Sequence, residues 1–289
     1  MALNNETVRI ESGLLLGTTS ADGMVRVFKG VPYAKPPVGN LRWRAPQQFN
    51  AWDGVRPAKV FWPRCLQPSR LHTSIQYFGP EPEGEDCLYL NVWTAAHSSD
   101  ERRPVMIWVH GGAFYLGSGA LPIFDGEALA RKGVVVVTVN YRLGRLGFMA
   151  HPELSAESEH RVSGNYGWLD LIAALQWVQR NIGGFGGDAG CVTLFGQSIG
   201  SQTVCAFMTS PLTRGLYHRA IGQSGGALGL PGRTGGGSML MLDAAEKAGA
   251  AFARKLGANS IAELRAKPAD EIQLVRPEAG WIIKPVLDP

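Results

Sequence analysis

A serine flanked by glycines is the residue of this chain with the clearest chemical potential. Ser198 lies within Gly196-Gln197-Ser198-Ile199-Gly200, which has the pattern Gly-x-Ser-x-Gly. The run 191–195 (CVTLF) before it indicates a buried strand, and the run 201–208 (SQTVCAFM) after it indicates a helix. Glycines lack a Cβ, so a strand and a helix can turn tightly around the serine and expose its hydroxyl. This context predicts a nucleophile elbow that attacks a carbonyl carbon.

A glycine-rich loop upstream of the serine could supply the other groups that such an attack needs. The sequence His110-Gly111-Gly112-Ala113-Phe114 follows the apolar run 104–109. Backbone N–H groups of a loop of this kind can point at the negative charge that develops on the carbonyl oxygen. Together the elbow and the loop indicate acyl transfer through an acyl-serine intermediate.

Alternating strands and helices are predicted around these two motifs. Short apolar runs with an Asp22-Gly23 turn predict hairpins in the first 30 residues, and the proline-rich stretch 32–82 predicts loop. Further strands are predicted over 88–94, 105–109, 134–139, 191–195 and 220–223, and helices over 168–181, 201–208, 242–255 and 260–266, with a short helix after Pro268. This alternation predicts an α/β fold, with a mostly parallel central sheet and helices on both faces, as one domain over residues 1–289.

The composition narrows the classes of partner. The chain has 289 residues, of which 45% are hydrophobic, and its 28 basic against 24 acidic residues leave a net charge of +4. No run concentrates the basic residues, so neither nucleic acid nor a membrane surface is an expected partner. The first residues contain no apolar signal core, which favours a cytoplasmic location. The four cysteines show no metal-ligand spacing, and no metal is expected.

Longer sequence words accompany the two motifs over nearly the whole chain. They are 28–39 (FKGVPYAKPPVG), 41–43 (LRW), 85–93 (EDCLYLNVW), 140–144 (NYRLG), 164–170 (GNYGWLD) and 185–188 (FGGD). In this order they resemble the type-B carboxylesterases, and Ala113 after the two glycines resembles the bacterial members more than the animal cholinesterases. The resemblance implies the α/β-hydrolase fold and hydrolysis of small-molecule carboxylic esters, with no metal or organic cofactor.

The resemblance also assigns roles to individual residues. Ser198 is the expected nucleophile, and the N–H groups of Gly112, Ala113 and Ile199 are the expected oxyanion hole. Two ion pairs are implied, Arg42 with Glu85 and Arg142 with Asp170, where the alternative is four solvated surface charges. The family commonly joins positions matching Cys65 and Cys87 in a disulfide, whereas a cytoplasmic location favours two thiols, so both states stay open.

The catalytic triad is incomplete in this sequence. In this fold the acid and then the histidine follow the serine, yet the only histidine after Ser198 is His218, twenty residues on. In the family the glutamate and the histidine come after a word similar to Pro285-Val286-Leu287-Asp288. The chain therefore resembles an amino-terminal portion truncated before its carboxy-terminal part, and we expect a complementary segment or chain to supply Glu and His.

Two departures from the family bear on the substrate. Gln197 stands where a glutamate is usual, and no tryptophan lies between Cys65 and Cys87, where Tyr77 and Phe78 are the only aromatic residues. Both changes disfavour cationic substrates and favour uncharged esters. Amide or carbamate hydrolysis at the same serine is the second possibility. A non-catalytic hydrolase-like binding or adhesion module, or an inactive truncated fragment, is the alternative outside catalysis.

The glycine-rich stretch 222–237 allows two interpretations. Its composition fits a flexible connection. Its position after the carboxyl end of a predicted strand instead fits a loop that lines the substrate pocket.

Overall fold

A seven-stranded sheet organises the computed structural model, which describes residues 6–67, 82–226, 240–274 and 286–287. The strands are β1 (Thr7–Ile10), β2 (Gly13–Leu16), β3 (Thr18–Thr19), β4 (Arg26–Pro32), β5 (Val55–Pro57), β6 (Arg64–Cys65), β7 (Glu83–Gly84), β8 (Tyr89–Thr94), β9 (Arg103–Val109), β10 (Val135–Val139), β11 (Gly187–Gln197), β12 (Arg219–Gln223), β13 (Leu240–Met241) and β14 (Val286–Leu287). The helices are α1 (Glu127–Ala130), α2 (Gly144–Phe148), α3 (Pro152–Glu157), α4 (Tyr166–Asn181), α5 (Ile199–Phe207), α6 (Leu242–Lys255), α7 (Ile261–Ala266) and α8 (Ala269–Leu274).

The central sheet has the order β12-β11-β9-β10-β8-β4-β3 and is mixed. Strands β12, β11, β9 and β10 pair in parallel, whereas β10 with β8, β8 with β4, and β4 with β3 pair antiparallel. The expectation of a mostly parallel sheet therefore holds only for the half that carries the elbow. In the other half, β3 and β4 are antiparallel because the turn at Asp22-Gly23 joins them, and β8 pairs antiparallel with both of its neighbours.

Helices cover both faces of this sheet, as predicted. On one face Val136 of β10 packs with Trp93 of β8 and Ala130 of α1. On the other face Val135 and Val137 belong to the large core that also includes buried residues of α4. All five residues of β10 are buried, and four of them are valines, as expected of a strand that is covered on both faces.

Helices α6, α7 and α8 follow the central sheet in the chain, and α6 packs against α3. Helix α6 coincides with the predicted span 242–255, and Ser260 caps α7 by accepting from the N–H of Glu263 at 3.2 Å. Helix α8 begins after Pro268, as predicted, and packs on α2. Within the described ranges, no helix combines the length and the apolar character that a membrane crossing requires.

Candidate active site

Ser198 occupies a strained turn between β11 and α5. Its backbone has φ 56° and ψ −119°, a conformation that non-glycine residues rarely adopt. The Ser198 N–H donates to the carbonyl oxygen of Gln223 on the neighbouring strand at 2.8 Å. Its carbonyl accepts from the N–H of Gln202 at 3.0 Å within the first turn of α5. The surrounding backbone thus holds the serine in this conformation at the amino terminus of a helix.

Glycines allow the elements around Ser198 to approach closely. A Cβ on Gly200 would lie 2.2 Å from the carbonyl oxygen of Val109, and one on Gly196 would lie 2.6 Å from the carbonyl carbon of Gly200. A Cβ on Gly225 would lie 2.3 Å from the carbonyl oxygen of Ser198. The start of the glycine-rich stretch 222–237 therefore lies against the elbow, while residues 227–237 fall outside the described ranges.

The structure brings the glycine loop next to Ser198. An ideal Cβ on Gly111 would be 3.2 Å from the Cβ of Ser198. Gly112, Ala113 and Phe114 have φ values of 115°, 57° and 62°. For Ala113 and Phe114 this left-handed conformation is unfavourable, so the loop needs its surroundings to hold it.

The N–H of Gly112 is oriented through the carbonyl of its own peptide group. His110 Nδ1 lies 2.8 Å from the carbonyl oxygen of Gly111, which can only accept, so His110 donates from Nδ1. In a trans peptide the N–H points opposite to the C=O. The bond to Gly111 therefore directs the Gly112 N–H away from the His110 ring.

The same argument orients the other two amides. The carbonyl of Gly112 accepts from the N–H groups of Tyr115 and Leu116, both at 2.9 Å, which turns the Ala113 N–H the opposite way. The carbonyl of Ser198 points into α5, so the Ile199 N–H points out of the helix amino terminus. No described residue accepts a hydrogen bond from any of these three N–H groups. The arrangement can offer them to an anionic oxygen.

His110 itself is a buried, neutral support of the loop. Its ring stacks on Tyr141 with the ring centres 4.5 Å apart, and the Tyr141 hydroxyl donates to the His110 carbonyl at 3.0 Å. Burial lowers the pKa of His110 to about 4. The imidazole is therefore uncharged near pH 7 and keeps a lone pair on Nε2.

No described histidine or carboxylate hydrogen-bonds to Ser198. His218, whose place in the chain order argues against a catalytic role, is exposed and accepts from the N–H of Val192 at 3.2 Å through Nδ1. His151 caps α3 by accepting from the N–H of Glu153 at 3.2 Å. His97 and His160 are exposed, and His72 lies outside the described residues. In the described part of the chain, no cluster of three or more His, Cys, Asp or Glu side chains could hold a metal ion.

Both sets of predicted ion partners are in contact. Arg42 bonds to Glu85 from Nε at 2.6 Å and from Nη2 at 2.7 Å. Arg142 bonds to Asp170 from Nε at 2.8 Å and from Nη2 at 2.6 Å. These planar two-bond geometries suit a guanidinium and a carboxylate. The interpretation as four solvated surface charges is wrong, because at most 14% of any of the four side chains is exposed.

The two cysteines whose redox state the sequence left open are free thiols in this structure. Cys65 and Cys87 are both buried, and no disulfide joins them in this structure. A side-chain hydrogen bond with Cys65 and burial raise the pKa of the Cys87 thiol well above its usual value. Cys65 Sγ also accepts from the N–H of Leu143 at 3.1 Å.

Two glutamines that support the loop were not predicted from the sequence. Gln67 is fully buried and bonds to both the N–H and the C=O of Gly117, each at 2.9 Å. Gln273 reaches the segment 143–146 from α8. A lone glutamine belongs to no motif, so only its burial in the folded chain marks it. Of the substrate-related residues, Gln197 is exposed at the end of β11, and Tyr77 and Phe78 lie outside the described residues.

Known proteins are similar to this chain in both sequence and fold. The sequence profile of the carboxylesterase family matches residues 4–286. A para-nitrobenzyl esterase of Bacillus subtilis is 40% identical, with 99% of this chain and 58% of that protein covered. A fumonisin B1 esterase of Sphingopyxis macrogoltabida is 51% identical over 75% of this chain and 39% of its own length.

Solved structures give the same result. A PNB esterase superposes with a TM-score of 0.85 at 37% identity, covering 99% of this chain and 58% of that one. A carboxylesterase of Geobacillus stearothermophilus superposes with a TM-score of 0.83 at 38% identity, covering 97% and 55%. The chain thus spans little more than half the length of these α/β-hydrolase relatives. Profile, relatives and structures agree that this chain belongs to the carboxylesterase family.

Proposed function

We propose that this chain carries the nucleophile and the oxyanion hole of a serine carboxylesterase, within a single catalytic domain. Ser198 Oγ attacks the carbonyl carbon of an ester, and the N–H groups of Gly112, Ala113 and Ile199 stabilise the oxyanion. The alcohol leaves, and water then hydrolyses the acyl-serine to release the acid.

The backbone of Ser198 is the observation that carries this proposal. A serine at φ 56° and ψ −119° is unfavourable and persists only where the surrounding structure enforces it. Two further observations support it: a Cβ on Gly111 would lie 3.2 Å from the Cβ of Ser198, and no described residue accepts a hydrogen bond from the N–H groups of Gly112, Ala113 and Ile199. A binding or adhesion module has no need of this arrangement, which supports catalysis over the non-catalytic alternative.

A base must deprotonate Ser198, and an acid must orient that base. We place both outside these 289 residues, in a complementary carboxy-terminal segment or chain that supplies Glu and His. The described histidines support this placement, because none of them hydrogen-bonds to Ser198. The two buried ones, His110 and His151, already bond to the Gly111 carbonyl and to the Glu153 N–H.

Uncharged carboxylic esters are the proposed substrates. Gln197 is a neutral amide exposed next to the nucleophile, so no carboxylate at this position attracts a cationic group. The relatives named para-nitrobenzyl esterase and fumonisin B1 esterase support ester hydrolysis as the reaction. Amide or carbamate hydrolysis would use the same serine and is not favoured by any described contact.

The test is covalent labelling followed by turnover. A p-nitrophenyl phosphonate should modify Ser198, slowly in this chain alone and rapidly together with the complement, because the base accelerates attack. With the complement, short-chain p-nitrophenyl esters should be hydrolysed, and Ser198→Ala should lose about a million-fold in turnover.

Ser201→Ala is the matched control, because that hydroxyl lies on the same helix but donates to the carbonyl of Gly225 at 2.8 Å. This variant should still be labelled at Ser198. Mass spectrometry of the labelled peptide identifies the modified residue. An adduct on a different residue, or full activity in Ser198→Ala, would overturn the proposal.

A further inference from the structure

Gln273 uses both ends of its side-chain amide to hold two separate segments, one at residues 143–146 and the other at Leu66. Its Oε1 accepts from the N–H groups of Arg145 at 3.0 Å and Leu146 at 3.4 Å. Its Nε2 donates to the carbonyl oxygens of Leu66 at 2.8 Å and Leu143 at 3.2 Å. Only 3% of the residue is exposed, so these bonds are protected from water.

The segment 143–146, at the start of α2, connects Gln273 to the glycine loop. The N-cap residue Leu143 has no side chain that can accept from the first N–H groups of this helix. Gln273 takes that role from another part of the chain. The remaining N–H of the first turn, on Gly144, donates to the carbonyl of Phe114 at 2.6 Å. Gln273 therefore fixes the helix end that holds Phe114, the residue next to Ala113.

The segment at Leu66 also connects Gln273 to the glycine loop, in this case through Gln67. Gln273 holds the carbonyl of Leu66, and the adjacent Gln67 holds both backbone groups of Gly117. Gly117 in turn packs against the His110–Gly111 hydrogen bond. A Cβ on Gly117 would lie 2.3 Å from His110 Nδ1 and 2.6 Å from the Gly111 carbonyl oxygen. By holding Gly117, Gln67 therefore confines the His110–Gly111 hydrogen bond that orients the Gly112 N–H.

We propose that Gln273 is a positioning residue for the oxyanion hole, acting on Ala113 through Gly144 and Phe114 and on Gly112 through Leu66 and Gln67. The inference rests on the proposed function of these amides. The left-handed backbone of Ala113 and Phe114 is unfavourable for residues with a Cβ, so this part of the loop should relax once its anchors are released. Gln273 touches no reacting atom, and its loss acts only through the loop.

Two substitutions separate hydrogen bonding from packing. Gln273→Leu replaces the amide with an apolar side chain of similar size and so removes all four bonds. Ile272→Val is the control, because Ile272 is fully buried on the same helix and loses packing but no hydrogen bond. Two measurements are made on the full chain: hydrogen exchange of residues 110–117, and the labelling of Ser198 by a p-nitrophenyl phosphonate as a function of its concentration.

Gln273→Leu should exchange the 110–117 amides at least about tenfold faster than Ile272→Val, because local opening becomes easier. Its limiting labelling rate should fall about ten- to a hundredfold, less than the loss of a whole oxyanion donor, while the half-saturating concentration changes less than about threefold. Equal effects in the two variants would overturn the inference.

A third variant gives a pH signature that a purely structural role would not produce. In Gln273→Glu the protonated carboxyl can donate one bond and accept others, but the ionised form cannot donate to Leu66 or Leu143. Burial should raise the pKa of the introduced carboxyl. Relative to wild type, labelling should be close to normal at low pH and fall as pH rises through that pKa. A ratio that does not change with pH would contradict the inference.

The two proposals fail in different ways. If wild type takes no label at Ser198, the proposed function is wrong, and hydrogen exchange alone then decides whether Gln273 holds the loop. If wild type is labelled and Gln273→Leu matches Ile272→Val, only the role of Gln273 is wrong.

Discussion

Arg142 and Asp170 form a fully buried ion pair behind the site. Two guanidinium–carboxylate bonds of 2.6 and 2.8 Å join them, and the Arg142 backbone N–H adds a third bond to Asp170 at 3.0 Å. Their side chains are 2% and 0% exposed. Asp170 lies on α4 and Arg142 lies two residues before Gly144, whose N–H donates to the carbonyl of Phe114, so the pair ties a long helix to the segment that holds the glycine loop.

Asp170→Asn should strongly destabilise the fold. The substitution leaves a buried guanidinium without its counter-charge, which typically costs about 3–5 kcal/mol. Urea denaturation measures the change in the free energy of unfolding. Asp243→Asn is the control, because both Asp243 and its partner Lys247 are mostly exposed. The unfolding midpoint of this variant should equal that of wild type. Similar losses in the two variants would contradict this prediction.

Gly200→Ala should disrupt the elbow. The new methyl group would lie 2.2 Å from a backbone oxygen of β9, which cannot move without shifting the sheet. We expect a loss of about 3 kcal/mol or more in the free energy of unfolding, and slower labelling of Ser198 in any folded protein. Gly183→Ala provides the comparison, because a Cβ there meets nothing within 4 Å. The prediction is wrong if both alanine variants unfold at the same denaturant concentration.

Burial of His110 should make the stability depend on pH between about 4 and 6.5. The folded pKa of about 4 lies below the ordinary value of 6.5, so the unfolded chain binds the proton more readily in this window. The contribution is fully present above pH 6.5 and is lost as pH falls toward 4.

His110→Asn offers an amide N–H in place of Nδ1 but cannot titrate. Wild type should therefore lose roughly 3 kcal/mol more than His110→Asn when denaturation is repeated from pH 6.5 down to pH 4, by the conversion of pKa shift to free energy. Parallel curves for the two proteins would contradict the assignment.

The four cysteines should react with iodoacetamide in two classes. Cys191 and Cys205 are partly exposed, whereas Cys65 and Cys87 are buried. The raised pKa of Cys87 further lowers its thiolate fraction. In the reduced native protein, peptide mass spectrometry should find adducts on Cys191 and Cys205 well before the other two. Addition of urea should remove the difference, and equal rates without urea would disprove the predicted order.

Local sequence was sufficient for the parts of the site that local geometry determines. Glycines on both sides of Ser198, between an apolar strand and a helix, predicted the elbow because only glycine tolerates contacts such as that between Gly200 and Val109. Helix α6 and the start of α8 were also predicted, since amphipathic spacing and Pro268 act over a few residues.

Long-range packing decided the rest. The antiparallel half of the sheet depends on which strands meet, and the uncharged state of His110 depends on its burial against Tyr141. Gln273 is the clearest case, because it lies 128 positions from Arg145, to which it bonds. A polar residue in a short helix is ordinarily exposed. Only the folded chain, by burying its amide among backbone groups that need partners, turns it into a support for the glycine loop.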